Sequence, residues 1–329
     1  MFKDRRIYTN RRWFLYLLLL FIIATSLVLI DLPDNWWTSD VNKINSLRNQ
    51  QNRLNIYVSI YPLYDLANKI GGNKVDLHLL IPNGEEVHSY KPSLQQQSRL
   101  LKTDLFLYNG VGLEPWGTKV AKLLQKKGIE VIKASEEVKL LKLENTYVHS
   151  HGQYDPHIWL DPINMQLIAK RVRDEFIDLD PENKREYQQN YKSYTKKIDI
   201  LGQAYRATLT NRNRDYILVS HDAFRYLTNR YGLNQLSVTG VTLHEKPSPG
   251  ALARLIERVR KDGLKYIFMK KLSNSRVAEV LAKETGLKIL TLDPIIGLTE
   301  EEKENNADYF SIMSKNLKNL RKALVDEDE

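Results

Sequence analysis

The chain has 329 residues, 42% of them hydrophobic and 27% charged, with a formal net charge of +9. That length suffices for two units, each burying its own core. Cysteine is absent, which excludes disulfides, thiolate metal sites, thiol nucleophiles and a lipid-bearing N-terminal cysteine, so any metal must be held by His, Asp or Glu.

The basic excess is not a nucleic-acid signature. Residues before the first apolar run contribute +4 of it, and later basic residues alternate with acids, as in KRVRDEFIDLDPENKREY. The apolar run itself, residues 13–30 (WFLYLLLLFIIATSLVLI), is uncharged and as a helix nearly spans a hydrocarbon layer of about 30 Å. Its basic flank is expected on the cytoplasmic side, which places the rest of the chain outside. Two readings are open, a cleaved export signal with Ala24-Thr25-Ser26 as the cleavage site or an uncleaved anchor. The anchor is favoured because the run continues past Ser26. Residues 31–53 read as a polar tether.

From Leu54 onward, short β-rich runs alternate with amphipathic helical stretches, the pattern of parallel α/β units. LNIYVSI, KVDLHLLI, TDLFLYNG and IEVIKA are the strands expected of a first lobe, 54–180, with YPLYDLANKIGG, KPSLQQQSRLLK and EPWGTKVAKLLQKKG as helices. Residues 181–210 lack any β signal, and Tyr187, Tyr191, Tyr194, Ile198 and Leu201 recur at helical spacing there, which predicts a long linking helix. Asp180 before Pro181 suits its cap. A second lobe, 211–329, follows with strands in DYILVSH, NQLSVTGV, LKYIFMKK and LKILTLD, and helices in DAFRYLTNRYG, SPGALARLIERVRKDG and NSRVAEVLAKETG. The expected fold is therefore α/β, two lobes each with a mainly parallel four-stranded sheet flanked by helices, bridged by one long rigid helix.

In open parallel sheets, ligands collect beyond the carboxyl ends of the strands. Four polar residues stand there: His88 after KVDLHLLIP, His157 in YDPHIWLDP, His221 at the end of DYILVSH and Asp293 after LKILTL. Singly, each reads equally as a hydrogen-bonded structural residue or a turn former, and no local metal signature joins them. The residues alone define only a cleft.

Five motifs sharpen it. HSYKPS (88–93), YNGVGLEPW (108–116), DPHIWLDP (155–162), SHDAFRYL (220–227) and LDPIIGL (292–298) resemble, in order, those of the cluster A-I solute-binding proteins of zinc and manganese ABC importers. The resemblance covers residues 54–324. It implies His88, His157, His221 and Asp293 as metal ligands, a divalent ion as cargo, and an ABC permease with its ATPase as partner. Three imidazoles and one carboxylate suit Zn2+, with Mn2+ as the alternative, since manganese prefers more oxygen and manganese-type relatives usually carry Glu where this chain has His221.

The remaining histidines carry less. His149 and His151 precede His157 in a loop that is often longer and His-rich in zinc-type relatives; they are either a remnant scavenging site or part of a solvated loop. His78 reads as structural and His244 as a surface residue. Three lysines depart from the family pattern: Lys91 stands where HSYEPS is usual, Lys246 where a Glu usually precedes Pro-Ser, and Lys270 or Lys271 near a Glu that commonly follows the third strand of the second lobe. A cation beside a cation site opposes binding. The expected function is capture of zinc outside the cytoplasmic membrane for an importer, with no catalysis. The rivals are a manganese-binding member, a zinc hydrolase, for which no further general base is evident, and an anchored adhesin or scaffold that has lost metal binding.

Overall fold

The computed structural model describes residues 53–143, 153–239, 248–271 and 276–326. The apolar segment 13–30, the tether up to residue 52, His149, His151, His244 and Lys246 lie outside the described residues. Among the described residues, no helix is long and apolar enough to cross a membrane.

All eight expected strands are present and form two parallel sheets. The first contains β1 (Leu54–Val58), β2 (Val75–Leu79), β3 (Leu105–Tyr108) and β4 (Glu130–Lys133) in the order β2-β1-β3-β4. The second contains β5 (Tyr216–His221), β6 (Asn234–Thr239), β7 (Tyr266–Met269) and β8 (Lys288–Thr291) in the order β6-β5-β7-β8. The sequences explain these orders. A strand inside a parallel sheet is covered on both faces and must be apolar throughout, and β3 (LFLY) and β7 (YIFM) are buried at every position. The edge strands β4 (EVIK) and β8 (KILT) carry charged, partly exposed residues. Register runs Leu54↔Val75 to Val58↔Leu79 between β1 and β2, and starts at Tyr216↔Asn234 between β5 and β6.

In the first lobe the strands are connected by α1 (Tyr61–Gly71), α2 (Leu94–Leu100) and α3 (Gly117–Gln125). After β4 come two long helices, α4 (Pro162–Leu179) and α5 (Lys184–Thr210). The second lobe adds α6 (Arg225–Tyr231), α7 (Pro249–Lys261), α8 (Arg276–Thr285), the short α9 (Glu300–Glu304) and α10 (Tyr309–Leu324). The expected linking helix is present, but its regular part begins at Lys184, after a 3-10 turn at Pro181–Asn183. Asp180 does not cap it through the backbone; its carboxylate accepts hydrogen bonds from Asn183 Nδ2 (2.7 Å) and Tyr187 Oη (2.6 Å).

That helix is the spine. Tyr187, Tyr194, Ile198, Leu201, Tyr205 and Leu209 are buried, while Tyr191 is half-buried beneath the Arg173 guanidinium, 4.3 Å from its ring centre. The buried stripe meets α1 and α4 on one side and α10 on the other, so one apolar core runs through both lobes. Each buried aromatic of this size stabilises the fold by roughly 1.5–3 kcal/mol. Smaller clusters fill the outer faces, with Leu100, Ala121 and Leu124 on the first sheet and Val259, Ala278 and Leu281 on the second.

Candidate metal centre

His88 follows β2 in a loop pinned at both ends. Backbone amides of Ser89 and Tyr90 donate to the Glu86 carbonyl, making a turn just before the imidazole. Downstream, Ser93 caps α2 in a capping box with Gln96, whose Nε2 also reaches back to the Leu80 carbonyl (2.9 Å) at the end of β2. The non-ligating half of HSYKPS is thus a helix start that fixes where His88 stands.

His157 is oriented by a neighbour two residues away. Asp155 Oδ1 accepts from the His157 backbone amide and meets its Nδ1, both at 2.8 Å, and the pair is almost fully buried. With Nδ1–H donated to the carboxylate, the Nε2 lone pair is the one left for an ion. The loop is also held from the first sheet, where Asn109 Nδ2 donates to the Pro156 carbonyl (2.9 Å). Asn109 is fixed by Glu114, whose carboxylate accepts from the Asn109 and Gly110 amides, each at 2.9 Å. Gly110, Val111 and Gly112 all have positive φ (81°, 54° and 77°), the backbone turn that lets Glu114 fold back onto those amides. YNGVGLEPW therefore acts on the site through the His157 loop. Burial raises the Glu114 pKa while these hydrogen bonds oppose the rise.

His221 is the last residue of β5, at the carboxyl edge of the second sheet. Next to it Asp222 is fully buried and takes two hydrogen bonds from Arg225, at 3.0 and 2.8 Å, with Gln235 as a further donor. Burial pushes the Asp222 pKa up, and the Arg225 contact pulls it back.

The lobes are stitched together around these loops. Tyr226 Oη donates to the Asp155 carbonyl (3.0 Å), and Arg230 of α6 pairs with Asp161, the residue that caps α4. Trp159, wholly buried, donates from Nε1 to the Pro294 carbonyl (2.7 Å) and accepts from Tyr309 Oη (2.8 Å).

The outcome is a tight trio. Donor atoms of His88, His157 and His221 lie within 4.8 Å of one another, and all three side chains are buried. Ring centres are 5.5 Å (88–157), 6.1 Å (88–221) and 5.4 Å (157–221) apart, the planes inclined at 66°, 72° and 83°. Three nitrogens each about 2.0–2.1 Å from a tetrahedral ion stand about 3.3 Å from one another, so small adjustments of the rings suffice. Gathered out of bulk water, the trio interacts more strongly with an arriving cation than it would at the surface.

Asp293 is not part of this group: among the described residues, no carboxylate has an oxygen within 4.8 Å of all three donor atoms. Its Oδ1 accepts from the Ile295 amide (2.7 Å), and Oδ2 lies 4.0 Å from Lys271 Nζ. Burial raises its pKa, with the Ile295 amide and Lys271 opposing the rise. Asp293 lines a cavity of about 190 Å³ together with Glu85, Glu86, Lys270, Lys271 and Thr299. Lys270 pairs there with Glu86 (3.3 Å) and Lys271 with Glu302. His78 lies outside the site, stacked on Tyr57 with its Nε2 3.4 Å from Asp76. Sequence reasoning did not reach Asp155 or Glu302. The D-x-H spacing was the available signal for the first; the second is brought in only by the fold.

Two parallel sheets joined by a helical spine, with histidines from both lobes meeting between them, define a solute-binding protein built for a metal ion. The chain belongs to the ZnuA family, described as zinc-uptake complex component A, periplasmic, whose model matches residues 56–323. It is 31% identical to the high-affinity zinc uptake system protein ZnuA of Bacillus subtilis, over 93% of this chain and 97% of that protein. It is 32% identical to the zinc-binding lipoprotein AdcA of Streptococcus pneumoniae over 84% of its length, and spans 56% of that relative. The crystal structure of the Zn(II)-bound ZnuA-like domain of pneumococcal AdcA superposes with a TM-score of 0.72 at 32% identity, covering 82% of this chain and 98% of that one.

Proposed function

We propose that the chain captures Zn(II) outside the cytoplasmic membrane and delivers it to an ABC permease driven by a cytoplasmic ATPase. His88, His157 and His221 are the protein ligands in this reading. The observation that carries it is the buried imidazole trio, assembled from a β2 loop, the DPHIWLDP segment and the end of β5. A nitrogen-rich donor set suits zinc and is poorly matched to manganese, which prefers oxygen. The zinc-bound relative with the same fold supports the same ion. No bond of the cargo is made or broken, so the trio acts as a receptor and not a catalyst. Residues 13–30 supply the tether to the membrane, a role supported by their apolar run and basic flank.

Isothermal titration of the purified full-length chain with Zn(II), beside His157→Ala and His221→Ala, tests this. One ion per chain, lost in both variants, is the expected result. A metal-free wild type would leave only an anchored scaffold, and variants that bind as tightly as wild type would put the ion somewhere other than the trio.

A further inference from the structure

The cavity beside the trio holds an arrangement that a plain cation receptor does not need. Lys270 and Lys271 follow β7 directly and line the cavity together with the carboxylates of Glu85, Glu86 and Asp293. Lys270 is committed to Glu86 across the lobes, at 3.3 Å. Lys271 is committed twice, in an ion pair with Glu302 and facing Asp293 Oδ2 at 4.0 Å. All three partners are largely buried, with side chains 25% (Lys271), 16% (Glu302) and 10% (Asp293) exposed, so salt and water screen the attraction weakly.

Asp293 is held as firmly as Lys271. Asn316, buried on α10, accepts from the Asp293 amide and donates to its carbonyl, both at 2.8 Å. Ile295 donates to Oδ1 from a backbone with φ of +59°, a conformation that costs a β-branched residue and persists only because the surroundings enforce it. One carboxylate oxygen thus serves the loop, and the other looks at a fixed ammonium. A cation in the trio must compete with Lys271 for that second oxygen.

We propose that Lys271 is an internal counter-cation that keeps Asp293 out of the coordination sphere, so that the ion is held by three imidazoles with its fourth position left to water or a small exogenous ligand. Lys271 thereby sets the affinity lower than the donor set allows. This rests on the reading that His88, His157 and His221 hold the ion. Glu302 is the ammonium's other partner, and Lys271 acts through Asp293 as a positioning residue.

The test is Zn(II) affinity of the full-length chain, measured by competition with a chromogenic chelator, with Co(II) absorption as the coordination signature. Lys271→Met removes the charge and keeps most of the stem; it is expected to tighten binding about tenfold and to change the Co(II) spectrum. Adding Asp293→Asn to Lys271→Met reverses both changes, whereas Asp293→Asn alone alters affinity by less than about threefold and leaves the spectrum as in wild type, the coupling expected of contacting groups. Lys271→Arg behaves as wild type. Glu302→Gln separates charge from structure: it breaks the same ion pair but leaves the ammonium facing Asp293, so no tightening follows. The proposal is overturned if Lys271→Met fails to tighten binding, if Asp293→Asn alone weakens it tenfold or more, or if Glu302→Gln tightens it as Lys271→Met does. Should His157→Ala bind zinc as well as wild type, the three-imidazole reading fails first and takes the proposal with it.

Discussion

The imidazole trio and the lysine-bearing rim lie in the same crevice and follow opposite physical rules. The trio is buried and rigidly backed, with Asp155 behind His157 and a capping box beside His88. The rim is charged and built on ion pairs, Lys270 with Glu86 and Lys271 with Glu302 and Asp293. A set of imidazoles can receive a dication without a stand-in charge beside it, whereas buried carboxylates without a cation need one. The difference teaches that one cleft can meet a cation in two ways, with donors that wait for it and with carboxylates that already face a lysine.

The largest expected effect that sharpens this contrast is loss of a trio member. His157→Ala should lower zinc affinity by more than about 100-fold, beyond the 10–100-fold typical of residues that only support a ligand. Asp155→Asn falls within that supporting range, because the amide cannot accept the Nδ1 proton as a carboxylate does; calorimetry on both variants orders the two effects. A third expectation concerns pH. Imidazole coordinates only when neutral, so between about pH 7.5 and about pH 5.5 affinity should fall at least tenfold, with proton release on binding at the lower pH. Equal affinity at both would point to an oxygen-dominated site and break the comparison.

The smallest effect lies far from the cleft and concerns stability. Asp65 on α1 is buried, and burial foremost raises its pKa to about 6, with Lys69 opposing. A carboxyl whose folded value exceeds its unfolded value of about 3.9 is ionised at a cost at neutral pH, so its contribution improves as pH falls from above 6 towards 4. Asp65→Asn should therefore be more stable than wild type near neutrality by about 1–3 kcal/mol, the advantage fading by about pH 4 in thermal unfolding. Lys69 keeps Asp308 as a partner at 2.8 Å in that variant.

Much of the fold was legible because β3 and β7 are unbroken apolar runs, while edge strands such as β2 (VDLHL) and β6 (NQLSVT) keep apolar residues at alternate positions between helical stretches. Three helices were not anticipated, α4, the short α9 and α10, and the two long ones show where the pattern hides. In α4 the buried stripe Met165, Ile168, Ala169, Val172 and Phe176 is interleaved with KRVRDE, which reads as a solvated surface until the Asp161 cap is seen. α10 likewise mixes Ile312, Met313 and Leu320 with lysines. At the site, sequence order placed His88, His157 and His221 in the cleft, and the fold brings them together. Where the Asp293 carboxylate is held depends on a backbone turn at Ile295 and on the contact with Lys271, neither of which leaves a mark at the level of spacing. Lys271 was visible only as a charge of the wrong sign near a cation site; that it already has Glu302 and Asp293 as partners is a property of packing.

The central claim is that three nitrogens from distant segments surround one ion. Zinc K-edge X-ray absorption on the stoichiometrically loaded full-length chain measures this most directly. The account predicts a first shell of three imidazole nitrogens at about 2.0–2.1 Å with the multiple scattering that imidazole rings produce. A shell dominated by oxygen, or one unchanged in His221→Ala, would contradict it.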